Sequence, residues 1–253
     1  MRFLAEGVKM SYKRMKLYRI NIISWVIADI SLYASIIFMY IILVNKVKVI
    51  GDYRGNEILL FVSCYLLINN IFAICANSVT AYCRNIIDGK FNHDLLRPKN
   101  PIIYIILKNI NLAPLLTTLL LVVFNLYCIR INEAQISLLY FVSVVIGAIT
   151  MMLLYLILYT FALFKLKIDS VDRVLYQIVA ISEMPDTIFP KTIRNILIYA
   201  IPVYLFSSIP ARISLGKSTL IEEIWTFVAP VLLFLILRWI YKIGLRHYSE
   251  GLS

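Results

Sequence analysis

Charge is what this sequence has least of. Only 15% of its residues are Asp, Glu, Lys or Arg, against roughly 25% in a soluble domain. No polar stretch between the apolar runs is long enough to form a soluble domain of useful size. Histidine is scarcer still: the 2 present, His93 and His247, lie far apart, which argues against a metal centre. The 4 cysteines, Cys64, Cys75, Cys83 and Cys128, sit in or at the ends of apolar runs without a CxxC pair. They read as small packing residues rather than a disulfide framework or metal site. Acidic residues number 14 against 25 basic ones, a net charge of +11. In a soluble chain that excess would point to nucleic acid. Here it fits loops that stay on the cytoplasmic side of a membrane. A nucleotide loop is also missing. Gly216-Lys217-Ser218 ends like one, but the glycine needed five residues earlier is Ala211, and neither the preceding strand nor the following phosphate-cradling helix is expected there.

What is present is length of apolar run. Hydrophobic residues make up 61% of the chain and mean hydropathy is +0.85. Runs of about 20 residues, enough to cross lipid as helices, recur along most of it. They are continuous rather than alternating in ten-residue segments, so a barrel is excluded. The expected fold is all-α and polytopic, with six transmembrane helices in a single domain covering 1–253. The spans are placed at about Ile20–Val44, Ile58–Ala81, Ile102–Cys128 (kinked at Pro114), Ile136–Phe164, Asp169–Met184 and Ile224–Tyr241.

The ends and loops carry the remaining polarity. Residues 1–19 lack the short apolar core of a signal peptide. Leu4, Val8, Tyr12 and Met15 form one stripe and Arg2, Lys9, Lys13 and Lys16 another, which reads as an interfacial helix with both termini cytoplasmic. The tail is 242–253. Four prolines, Pro185, Pro190, Pro202 and Pro210, break the apolar run over 185–216, with Asp186, Lys191, Arg194 and Arg212 among them. Prolines at that density cut helices into pieces, and broken backbone at membrane depth must be buried in protein or face a watery cavity. Two short re-entrant outer helices between the fifth and sixth spans are expected, within Lys191–Ser214. A rival arrangement makes Asn195–Leu215 a full span, and charge bias does not separate the two.

The cytoplasmic loop 82–101 holds an apolar set, Ile87, Phe91 and Leu95, at the spacing of one helix face, beside Asp88, Lys90, Asp94 and Arg97. Such a helix either lies on lipid headgroups or seats its stripe in the groove of a soluble partner. Within the spans stand Asp29, Asn69, Asn70 and Glu183. The asparagines are expected to face other helices. For the two acids the options are a helix-to-helix bond to Asn or Tyr, substrate contact or a proton step, with the structural bond favoured.

Four landmarks give the chain a family likeness: GDYRGNEILLF from Gly51, IIDGKFNHDLLRP from Ile86, the proline-rich MPDTIFPKTIRNILIYAIPVYLFSSIPARISLG from Met184, and GLRHYSEGLS at the C-terminus. Their order resembles the permease subunits of ATP-binding-cassette exporters of the type-2 class, in the small bacterial branch. The resemblance implies a permease without a catalytic site or cofactor of its own, in the bacterial cell membrane. ATP and Mg²⁺ would sit on a partner ATPase present in two copies, beside a second permease chain that is the same or homologous. It also implies that the 82–101 loop is the ATPase-coupling element and that the proline segment is an outer gate. The N-terminal helix either braces the ATPase or lies on lipid. An amphipathic or apolar cargo (a drug, peptide or lipid-like molecule) is expected. The alternatives are a membrane-embedded enzyme, a scaffold, or an ion-driven carrier. Clustered intramembrane acids and histidines would mark the first, and repeated halves a carrier; neither is seen in the sequence.

Overall fold

The computed structural model describes residues 9, 11, 13, 16, 17, 19–46, 49–96, 100–165 and 168–250, and is almost wholly helical. In chain order it contains α1 (Arg19–Lys46), a small antiparallel hairpin of β1 (Val49–Ile50) and β2 (Tyr53–Arg54), and α2 (Glu57–Ile87). Then come α3 (Phe91–Leu95), α4 (Pro101–Lys108), α5 (Pro114–Ile131) and α6 (Leu138–Thr160), the last prolonged by a 3₁₀ turn, Phe161–Phe164. After α7 (Ile168–Ser182) the chain breaks into α8 (Lys191–Asn195) with a π turn, a 3₁₀ turn at Val203–Phe206, and α9 (Ser208–Ser214). It closes with α10 (Leu220–Glu250).

Helix α2 is the axis of the bundle. Every residue from Leu60 to Ile68 is buried, as expected of a stretch apolar on all sides. Lipid tails are as apolar as leucine, so such helices are held by close packing and by hydrogen bonds rather than by escape from water. Two asparagines supply several of the bonds. Asn70 is fully buried: its Oδ1 accepts from Tyr33 on α1 at 2.8 Å, and its amide donates towards Pro114 O at 3.0 Å and Thr118 Oγ1 at 2.8 Å on α5. Asn125 on α5 accepts from the Tyr140 hydroxyl at 2.6 Å and donates to Ser63 Oγ at 2.9 Å, joining α5, α6 and α2. Asn69 is half-buried beside Asn70.

Among the described residues, five helices are long and apolar enough to cross a membrane: Ile20–Lys46, Glu57–Ile87, Pro114–Ile131, Leu138–Phe164 and Leu220–Tyr248. Three expectations need correction. The third span is not one kinked helix. Asn109–Ala113 interrupts it, Asn111 N donates to Ile74 O, and Pro114 opens a new helix at the position where its missing N–H costs nothing. The fifth expected span is α7, whose 15 residues reach only about 22 Å at 1.5 Å per residue, short of about 30 Å of hydrocarbon. It nonetheless joins the two ends of the bundle, for Asp172 accepts from Tyr159 at the foot of α6 and Ile181 O accepts from Tyr204. Glu183 lies past its C-terminus and is exposed rather than set within a span.

The interfacial helix expected over 1–19 falls largely outside the described residues. Those described there are helical, and Ser11 Oγ accepts from Leu112 N at 3.2 Å.

The segment after α7 returns deep into the bundle. Gly147 of α6 lies so close to it that a Cβ there would stand 2.8 Å from Leu205 O and 3.3 Å from Phe206 Cα. Gly147 is nine residues into α6, so the contact lies about 14 Å below that helix end. Gly147→Ala is expected to push Val203–Phe206 outward and destabilise the fold by about 1–3 kcal/mol. A lowered melting temperature of the purified chain in lipid nanodiscs checks this, and an unchanged one contradicts the close approach.

Candidate functional site

The bundle has two differentiated ends. At one lie the β hairpin, the α5–α6 connection and residues 183–219. At the other lie α3, the foot of α6, the start of α7 and the end of α10.

At the α3 end, the expected stripe is not one helix face. Helix α2 runs on to Ile87, Gly89 takes a left-handed φ of +70°, and α3 starts afresh at Phe91. Glycine carries that φ without a Cβ penalty, so Ile87 is turned out of register with Phe91 and Leu95. Phe91 is fully buried. Its ring meets Tyr82 edge-on at 5.7 Å and Tyr248 of α10 edge-on at 6.0 Å, a geometry that favours aromatic pairs. Asp94 is also buried and accepts from Asn85 at 2.9 Å. Neither residue is placed to face a partner, which corrects their expected docking role.

What faces outward is Ile87 at 49% exposure, Leu95 at 36% and Leu96 at 84%. Beside them Lys90 pairs with Asp88 at 2.9 Å, both exposed. Arg97 lies outside the described residues. Leu96 lies outside the expected stripe; an apolar residue directly before a basic one and a proline was the available signal. Past this element, Asn100 caps α4 by accepting from Ile102 N at 3.0 Å, with Pro101 in the first turn.

At the opposite end the four prolines all stand at helix starts. Pro185, Pro190 and Pro202 immediately precede a helical turn, and Pro210 lies in the first turn of α9. There a missing N–H breaks no bond. Pro185, Pro202 and Pro210 are buried and Pro190 is exposed. Between them sits an ionic network that sequence spacing did not reveal. Asp186, wholly buried, takes Arg194 Nε at 2.7 Å and Arg212 Nη2 at 3.2 Å on the same oxygen. Arg212 Nη1 in turn reaches Glu222 Oε1 at 3.0 Å. Glu222 and Thr219 form a reciprocal cap at the start of α10, the carboxylate accepting from Thr219 N at 3.1 Å.

This segment is tied to the rest of its end. Gln135 N donates to Ser214 O at 2.7 Å, Asp52 N donates to Thr187 Oγ1 at 3.1 Å, and Tyr53 donates to Ser208 O at 3.4 Å. Burial, with Asp186 nearby, pushes the Tyr53 phenol far above its ordinary pKa, so it stays a donor. Of the two acids expected within spans, Glu183 accepts from Tyr65 at 3.0 Å. Asp29 is half-buried on α1, and its Oδ2 has no hydrogen-bond partner among the described residues.

Apolar helices of this length and number, packed around a buried α2, define an all-α polytopic membrane protein. A family model described as ABC-2 family transporter protein matches residues 30–251, and the chain belongs to that family. No curated protein and no solved structure gives a match. Family membership makes it a permease subunit of an ABC transporter; such permeases are transport subunits that generally pair with an ATPase subunit.

Proposed function

We propose that this permease forms the pathway of an ATP-driven exporter in the bacterial cell membrane, with the α3 end and both termini cytoplasmic. Two copies of a separate ATPase bind ATP and Mg²⁺, and this chain binds neither. The observation that carries the reading is the α3 end itself. Exposed Ile87, Leu95 and Leu96 stand beside the exposed Asp88–Lys90 pair. They form a small apolar patch with a charged rim, the kind of surface that enters a partner's groove. Phe91 is the anchor beneath it, and through Tyr248 it hands any displacement of α3 to α10.

Helix α10 runs to the other end, where Glu222 holds Arg212. In the proposed cycle, closure of the ATPase pair moves α3, and α10 transmits the motion to the proline-rich outer gate. A second permease chain, identical or homologous, faces the pathway from the other side. The flank of α1, only 6% buried over its most apolar stretch, leaves room for it. An amphipathic or apolar cargo suits a pathway with few intramembrane charges.

Leu96→Asp tests this reading. It should cut ATPase recovery in copurification, and ATP turnover of the complex, at least tenfold while leaving the melting temperature of the permease unchanged. Full recovery of an active complex would sink the docking role of α3.

A further inference from the structure

The hairpin between α1 and α2 meets the proline-rich segment at its tip. Gly51 and Asp52 form the turn between β1 and β2, and Gly51 has a φ of +60°, which suits glycine at the first central position of a two-residue turn. The tip rests directly on Thr187: a Cβ added to Gly51 would collide with the Thr187 side chain. Asp52 N donates to Thr187 Oγ1 at 3.1 Å on the exposed side of this contact. Two further contacts complete the seam. Tyr53 reaches Ser208 O at 3.4 Å, longer than a usual O–H···O bond, while its ring stays against Phe61 of α2 at 5.7 Å. Lys217 pairs with Glu57 at 2.6 Å, with 40% and 21% of the two side chains exposed. Ion pairs open to water in this way add little.

Inside, the segment is knit far more tightly. Buried Asp186 holds Arg194 and Arg212, and Arg212 holds Glu222. Trp225 of α10 donates to Ile198 O at 2.8 Å. Charges paired out of water separate only at a heavy cost, so the piece from Asp186 to Trp225 moves as one body. Its flank on the α5–α6 connection is held twice. Gln135 N donates to Ser214 O at 2.7 Å, and the wholly buried Ser214 returns a bond from its hydroxyl to Gln135 O at 3.1 Å. Local opening takes the seam with the fewest buried contacts and the most exposed hydrogen bonds. That seam is the hairpin side.

We propose that the hairpin is a latch on the proline-rich segment: opening parts Thr187 from Gly51 and Asp52, while the Gln135–Ser214 pair stays joined and serves as the hinge. A few residues at the ends of elements absorb such a motion, and the paired charges of Asp186, Arg194, Arg212 and Glu222 travel together without being separated. The proposal rests on reading this segment as the outer gate, and it adds which side of the gate lets go.

The test uses the full permease–ATPase complex in nanodiscs with one of two cysteine pairs. Asp52→Cys, Thr187→Cys bridges the latch, and Gln135→Cys, Ser214→Cys bridges the hinge. Single-cysteine variants give the background from the four native thiols. Each complex is oxidised without nucleotide and after trapping with ATP and vanadate, and the disulfide yield is read by mass spectrometry. Both pairs should close readily without nucleotide, which also shows that the variants fold. In the trapped state the latch yield should fall about tenfold as the open form takes over, and the hinge yield should stay the same. The bridged latch should also stop ATP turnover until a reductant is added, whereas the bridged hinge should not. A hinge yield that falls while the latch yield holds would overturn the latch and leave the gate standing. Yields that hold at both pairs, with full turnover when the latch is bridged, would overturn latch and gate together. A latch pair that fails to close without nucleotide, beside a hinge pair that does, would contradict the seating of the hairpin on Thr187.

Discussion

Phe91→Ala is expected to destabilise the chain by about 3–5 kcal/mol, among the largest effects of any single substitution at the α3 end. The ring is wholly enclosed, so its removal leaves a cavity rather than exposing a surface. It also deletes two edge-on aromatic contacts, with Tyr82 and Tyr248, each worth about 0.5–1.5 kcal/mol beyond burial. Thermal unfolding in nanodiscs should show the loss. Tyr248→Phe, which keeps the ring, should leave stability within about 0.5 kcal/mol of wild type, as substitutions that preserve packing do. The contrast with Leu96→Asp is informative. Phe91→Ala should weaken both stability and ATPase coupling, whereas Leu96→Asp should weaken coupling alone. Equal melting temperatures for Phe91→Ala and wild type would contradict the buried placement of the ring.

Asp186→Leu is the second large effect, also about 3–5 kcal/mol, the usual cost of removing one partner from a buried ion pair. The carboxylate is completely enclosed and is the shared partner of Arg194 and Arg212. Without it, Arg212 stays buried with Glu222 as its remaining acid partner in this network, while Arg194, with 26% of its side chain exposed, turns to water. The penalty comes from the stranded charge rather than from the lost attraction, because ion pairs inside proteins gain little over apolar residues that fill the same space. The double variant Asp186→Leu, Arg212→Met should therefore be more stable than Asp186→Leu alone. A double variant that is worse by the full sum of the two single effects would show that Asp186 and Arg212 are not coupled, and would contradict the stranded-charge account. A melting temperature series over the four chains decides between these.

The sequence made legible whatever depended on neighbours along the chain. Apolar runs located the long helices, and the density of Pro185, Pro190, Pro202 and Pro210 marked a segment of short pieces, because a proline acts on its own turn. The asparagines among apolar residues announced bonds between helices, and Asn70 makes them. What was hidden depended on contacts distant in sequence, or on one backbone angle.

The Ile87, Phe91 and Leu95 spacing suggested a single face, and the turn at Gly89 divides it. The glycine was visible, but glycine also sits inside helices, as Gly147 does. The burial of Phe91 is decided by Tyr248, and that of Asp186 by Arg212, partners that periodicity cannot identify. The break at Asn109–Ala113 was legible in part: a proline after two asparagines is a helix start as readily as a kink. The 15 residues of α7 show the limit of counting apolar residues, since the helix ends at Ser182 while the expected span ran on to Met184.

The central claim is that the exposed apolar corner after Gly89 is where the ATPase takes hold. A photoreactive amino acid at position 96, in the full chain coexpressed with its partners, tests it most directly. The account predicts a crosslinked adduct with the ATPase subunit that grows or fades with nucleotide. Adducts with lipid alone, or labelling of a cysteine at that position by an impermeant reagent applied outside the cell, would contradict it.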